Sequence, residues 1–85
     1  MKQPMKTVSS VSNGWSFEFQ EDNYWTGEII TWHGIITTYR QDDVAMATFS
    51  YRGRFYQIDW DEPLTWLQLV RRARAYQREV IKGAK

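Results

Sequence analysis

DWDEPLTWLQLVRRARAYQREVIKG, residues 59–83, reads as one long amphipathic helix with an acidic start and an arginine-rich outer face. Asp61 suits an N-cap. Glu62 sets a negative charge against the positive end of the helix dipole, and Pro63 is tolerated in a first turn whose N–H groups lack intrahelical partners. At about 100° per residue, Trp66, Leu69, Val70, Ala73, Tyr76, Val80 and Ile81 share one broad apolar arc. Arg71, Arg74, Arg78 and Lys82 line another, with Arg72 to one side. Gly83 suits a helix stop. A helix from Glu62 to Lys82, rising about 1.5 Å per residue, spans roughly 30 Å and crosses a small domain. Leu64 and Leu67 fall outside the apolar arc. If both are exposed, they add apolar area to the cationic face and favour a protein partner over nucleic acid.

Outward from the helix, the chain reads as strands. Val44–Tyr51 and Arg54–Trp60 are joined by Arg52-Gly53, a link suited to a tight hairpin. In the second of these strands Tyr56, Ile58 and Trp60 share one face, while Phe55, Gln57 and Asp59 share the other. Gly34–Arg40 is dense in β-branched residues and ends at a Gln41-Asp42-Asp43 turn. Tyr24–Trp32 contains Gly27, which marks a bulge or a close approach, and is followed by His33-Gly34. Before it, Trp15, Phe17 and Phe19 alternate with Ser16, Glu18 and Gln20, ahead of a Glu21-Asp22-Asn23 turn. Residues 1–13 are polar and show no sustained period, so they are expected to be a flexible N-terminal arm, with residues 14–82 forming a single domain. The expected fold is α+β: a curved antiparallel β-meander of four or five strands with the C-terminal helix packed across it. A helix about 10–12 Å wide covers only two or three strands spaced about 4.8 Å apart. The remaining sheet surface must curl, pair with a second copy or face a partner.

With 85 residues and 42% hydrophobic content, the chain suits one domain that buries roughly 60–65% of its unfolded surface. There is no cysteine and one histidine, which excludes a disulfide framework and the usual zinc constellations and fits a reducing, cytoplasmic setting. The opening MKQPMKTVSSVSN has no apolar signal region, and no apolar run approaches the ~20 residues that span a bilayer, so no membrane role is expected. Net charge is +1, but it is unevenly spread: residues 1–63 carry five basic and nine acidic side chains, whereas residues 64–85 carry six basic and one acidic. That polarity points to an anionic partner, either nucleic acid or an acidic protein.

Two groups of residues are candidate binding surfaces. Arg71, Arg74, Arg78 and Lys82, with Arg72, repel one another by roughly 0.2–0.5 kcal/mol per helical neighbour. The helix dipole offsets about 0.3–1 kcal/mol for cations near the C-terminus. Such a face is either solvated or internally paired, or it is built to bind anions, and arginine favours bidentate contact with phosphate or carboxylate. Trp25, Trp32, Tyr24 and Tyr39 form the second group, with Arg40, Arg52 and Arg54 as flanking cations. They read either as core and dimer interface or as a platform for stacking bases. Five tryptophans, five tyrosines and four phenylalanines exceed the needs of one small core and fit an interface.

Catalysis has little to rest on. A metal-dependent nuclease would use a carboxylate cluster such as Asp59, Asp61 and Glu62, but two of these already have roles at the helix start. His33 stands at no triad-like spacing from a serine or carboxylate. There is no phosphate-binding glycine loop, zinc spacing or dinucleotide fingerprint. No catalytic residue, metal, cofactor or small-molecule substrate is therefore expected. The expected function is a non-enzymatic nucleic-acid-binding module acting through the helix. The alternative is a small protein-interaction module, such as a phage-type inhibitor, an adaptor or a homodimer, using the aromatic sheet face or the basic helix.

Over residues 35–82 the order of strands, Arg52-Gly53 hairpin and terminal helix with its Ala75-Tyr76 pair resembles in outline the arm-binding domain at the start of phage integrases. The resemblance implies a three-stranded sheet backed by a helix and entering the major groove. This chain departs from that pattern because its cations lie on the helix, whereas Asp42, Asp43 and Asp59 lie on the strand side.

Overall fold

Six strands and one helix are seen in a computed structural model that describes residues 6–21 and 24–84. The strands are β1 (Lys6–Ser10), β2 (Trp15–Glu21), β3 (Tyr24–Thr31), β4 (Gly34–Gln41), β5 (Val44–Tyr51) and β6 (Arg54–Trp60), followed by α1 (Trp66–Gly83). They form one open antiparallel sheet in chain order, with β1 and β6 as its edges. The sheet thus has six strands and not four or five. The extra one comes from the stretch expected to be a flexible arm, where Val8 pairs opposite Phe17. Five residues are too few to display a period, and pairing with β2 supplies the order that local sequence does not. Residues 1–5 of that arm, and Asp22 and Asn23 of the expected turn, lie outside the described residues.

Register assigns each side chain to a face. One row, Val8, Phe17, Gly27, Thr38, Ala47 and Ile58, crosses all six strands. The next runs Phe19, Trp25, Arg40, Ala45 and Trp60. These rows face α1, which lies over β5. Ala45 and Ala47 on β5 and Ala73 on α1 are fully buried, so the shortest side chains stand where sheet and helix come closest. Larger groups rise on both sides: Trp15, Phe17, Phe19 and Trp25 from β2 and β3, and Tyr56, Ile58 and Trp60 from β6. The helix occupies the trough between them. It starts where Trp66 meets Phe19, with ring centroids 5.4 Å apart, and passes Phe49, whose ring lies 5.7 Å from that of Tyr76.

Gly27 makes the aromatic wall possible. Phe17 lies across it so closely that a Cβ at Gly27 would fall 2.0 Å from Phe17 Cδ1. Of the two readings of this glycine, close approach is the one realised; the irregularity in pairing lies between Phe19 and Glu21.

The helix begins later than Asp61 and Glu62 imply. Thr65 is the N-cap: its Oγ1 accepts from Gln68 N–H at 3.2 Å, and Gln68 Oε1 accepts from Thr65 N–H at 2.9 Å. This capping box satisfies two first-turn donors reciprocally. Pro63 disfavours helical geometry at Glu62, and Leu64 turns inward to 2% exposure. The helix carries no acidic residue in its first turn, and it runs through Gly83 to a cap at Ala84. No helix among the described residues is long and apolar enough to cross a membrane.

The opposite sheet face carries Glu18, Thr26, Tyr39, Met46 and Asp59 in one row and Ser16, Glu28, Thr37, Thr48 and Gln57 in another. No element of the described residues covers it.

Thr38 is 1% exposed and its hydroxyl has no hydrogen-bond partner among the described residues. Such a group costs about 1–3 kcal/mol. Thr38→Val keeps the shape and removes the unmet hydroxyl, so thermal unfolding should shift upward by roughly 4–8 °C for each kcal/mol regained in a domain of this size. A lowered melting temperature would show that the hydroxyl is satisfied in solution.

Candidate nucleic-acid interface

The five candidate cations of α1 divide by what they touch. Arg72 reaches back across the helix start to Glu62, with Nη1 to Oε2 at 2.7 Å and Nη2 to Oε1 at 3.1 Å. Both partners are about half exposed, so the pair is solvated and contributes little net stability. Arg74 is partly buried and donates from Nη2 to the Asn13 carbonyl, tying α1 to the β1–β2 connection. Arg71, Arg78 and Lys82 remain exposed, and no carboxylate among the described residues pairs with them. The helical spacing that aligns these three therefore leaves a narrower cationic stripe than the sequence implies. The capping box and the burial of Leu64 orient the first turn, and the trough fixes the helix rotation that sends the stripe outward.

The aromatic candidates do not form one surface. Trp25 faces α1 at 3% exposure, edge-on to Phe17 at 5.2 Å, and belongs to the core. Tyr24 and Tyr39 lie on the open face, half-buried against each other with centroids 6.0 Å apart, and the Tyr39 hydroxyl donates to Gln41 Oε1. Trp32 stands apart at the β3–β4 turn, fully exposed.

Of the cations expected to flank these rings, Arg40 is engaged inside the fold. Its Nη1 donates to the Leu64 carbonyl at 2.9 Å, its Nε donates to the Asp42 carbonyl at 3.0 Å, and its guanidinium sits 5.8 Å from the Trp25 ring centroid. Arg52 lies over Tyr51 at 5.3 Å, and Arg54 is exposed.

The other candidates separate as well. Glu62 is taken by Arg72, Asp59 accepts from Gln57 Nε2 at 3.3 Å, and no cluster of metal-binding side chains occurs among the described residues. His33 is exposed, its ring edge-on to Tyr51 at 5.9 Å. Among the features not anticipated from sequence are the capping box, the buried Gln77 and the return of Arg72 to Glu62. A Thr-x-x-Gln signature marks the first, whereas a spacing of ten residues signals nothing about the last.

Compared with family models, curated proteins and solved structures, the chain finds no match in any of the three.

The hydrogen bonds from Arg72 hold the Glu62 carboxyl below its ordinary value; burial opposes them and the Arg72 charge assists. A carboxyl lowered by folding contributes stability that is present above its unfolded value and lost as pH falls through the folded one. In a carboxyl-detected NMR titration, Glu62 should titrate below an ordinary glutamate, and Arg72→Met should return it to the usual range. An unshifted Glu62 in the wild type would show that the pair does not form in solution.

Proposed function

We propose that this protein is a non-enzymatic nucleic-acid-binding module that contacts phosphates through the outer face of α1. The supporting observation is the exposed row Arg71, Arg78 and Lys82, which no carboxylate among the described residues neutralises. The open sheet face carries Glu18, Glu28 and Asp59, so an anionic backbone is repelled there and attracted at the helix. Leu67 is 49% exposed but Leu64 only 2%. The cationic face therefore lacks the pair of leucines that would favour a protein partner.

Three phosphate contacts give a log–log slope of affinity against salt of roughly −2.7 on duplex DNA, at about −0.9 each. Replacing Arg71, Arg78 and Lys82 together by alanine should flatten that slope, whereas Arg72→Ala should change it little because its charge is already matched by Glu62. Fluorescence anisotropy across a salt series reads both. Absence of binding at low salt, or a slope indifferent to the triple replacement, would reject the proposal.

A second reading, a protein-interaction module, is favoured by one observation. Ile30 and Ile35 are direct neighbours across β3 and β4, and both are exposed on the open face, as is Phe55 on β6. If this face is a homodimer interface, light scattering should report a dimer that Ile35→Lys converts to a monomer. A wild-type monomer removes the homodimer form of this reading.

A further inference from the structure

We infer that the cleft between the β3–β4 turn and α1 holds one unpaired nucleotide, so that the protein prefers single-stranded to duplex nucleic acid. This rests on the phosphate-binding reading of α1. The cleft measures about 350 Å³ and is lined by Ile30, Trp32 and His33 from the hairpin and by Arg74, Gln77 and Arg78 from the helix. It combines the three things a nucleotide requires: an aromatic plane, cations and polar groups able to meet a base edge.

The plane is Trp32. It is fully exposed, whereas the other four tryptophans are buried or half-buried against the core. Its position is set by a closed turn. Thr31 Oγ1 accepts from His33 N–H at 3.1 Å and donates to the Gly34 carbonyl at 2.8 Å, and Gly34 adopts φ 119°. The turn fixes the backbone from which the indole projects, and a side chain with only two rotatable bonds has little rotamer freedom to lose when a base stacks on it.

The cations are Arg78 and Arg74, neighbours one helical turn apart. Arg74 is anchored through one nitrogen to the Asn13 carbonyl, which keeps its remaining N–H groups beside the cleft. Arg78 is unpaired among the described residues and also belongs to the exposed row with Arg71 and Lys82. A strand whose phosphates follow that row therefore passes the mouth of the cleft. Gln77, 3% exposed, has an Nε2 that finds no acceptor. Rotation of its amide toward the cleft would let it donate to a carbonyl or ring nitrogen of a seated base.

An unpaired base is required because stacked neighbours cover both faces of every base inside a duplex. An exposed indole can take only a base that has left the stack.

The test compares a labelled oligothymidylate with the same strand annealed to oligoadenylate, for wild type, Trp32→Ala and Trp32→Phe, with melting temperatures recorded alongside. Wild type should bind the single strand more tightly and lose tryptophan emission on binding. Trp32→Ala should reduce the preference for single strand over duplex roughly tenfold, in line with the loss of one stacked base. Trp32→Phe, which keeps a ring, should retain most of it. Salt-dependent binding with no preference for the single strand, or a preference unchanged in Trp32→Ala, overturns the inference while leaving the phosphate-binding reading intact. Absence of binding to either probe overturns both.

Discussion

The direction in which the helix cations point depends on how deeply α1 can sink into the sheet, and that depth is set by two methyl groups on β5. Ala45 and Ala47 form the floor of a trough whose walls are aromatic, and Ala73 meets them from the helix side. Interiors pack at crystal-like density, so neither a larger floor nor a helix rotated by one position fits without displacing rings. Rotation is therefore as tightly specified as depth. With Leu69, Val70 and Ala73 inward, Arg71, Arg78 and Lys82 have no choice but to face water. The packing of the core and the direction of the positive charge are one constraint seen from two sides.

Charge neutralisation inside the molecule is selective. The acidic residues outnumber the basic ones over residues 1–63, yet only Glu62 reaches a helix cation among the described residues. Glu18, Glu28 and Asp59 are carried on the far side of the sheet, separated from the stripe by the core. A two-layer fold with acid on one surface and base on the other carries a lasting electrical asymmetry.

Much of this architecture was legible because it follows from period and turn chemistry. The Arg52-Gly53 hairpin appears as expected, with Arg52 at φ 51° and Gly53 at φ 78°. Tyr56, Ile58 and Trp60 share one face of β6, as their alternation implies, and the structure turns that face toward the core. What was not legible depends on distant partners. Residues 6–10 look like a polar arm until β2 lies beside them. Asp61 and Glu62 look like a helix start until Thr65 and Gln68 are seen capping each other. Trp25 and Trp32, seven residues apart, have opposite fates, one in the core and one fully in water. Neither side chain carries a sign of this, because the difference is whether the strand has ended. Arg40 looked like a surface cation, but its reach to the Leu64 carbonyl depends on a chain reversal 24 residues later.

The strict chain order of the sheet bears on how the molecule comes to exist at all. Each strand pairs with the next, and the turns Trp32-His33, Asp42-Asp43 and Arg52-Gly53 each link neighbouring strands through two residues. Closing such short loops costs little chain entropy, so successive hairpins can form without waiting for remote segments to meet. The long-range step is the docking of α1, which needs the β5 floor and both aromatic walls already in position. A chain emerging from its N-terminus would assemble the sheet first and receive the helix last. Until then the trough stands open, and its rings form the most adhesive surface the protein ever presents.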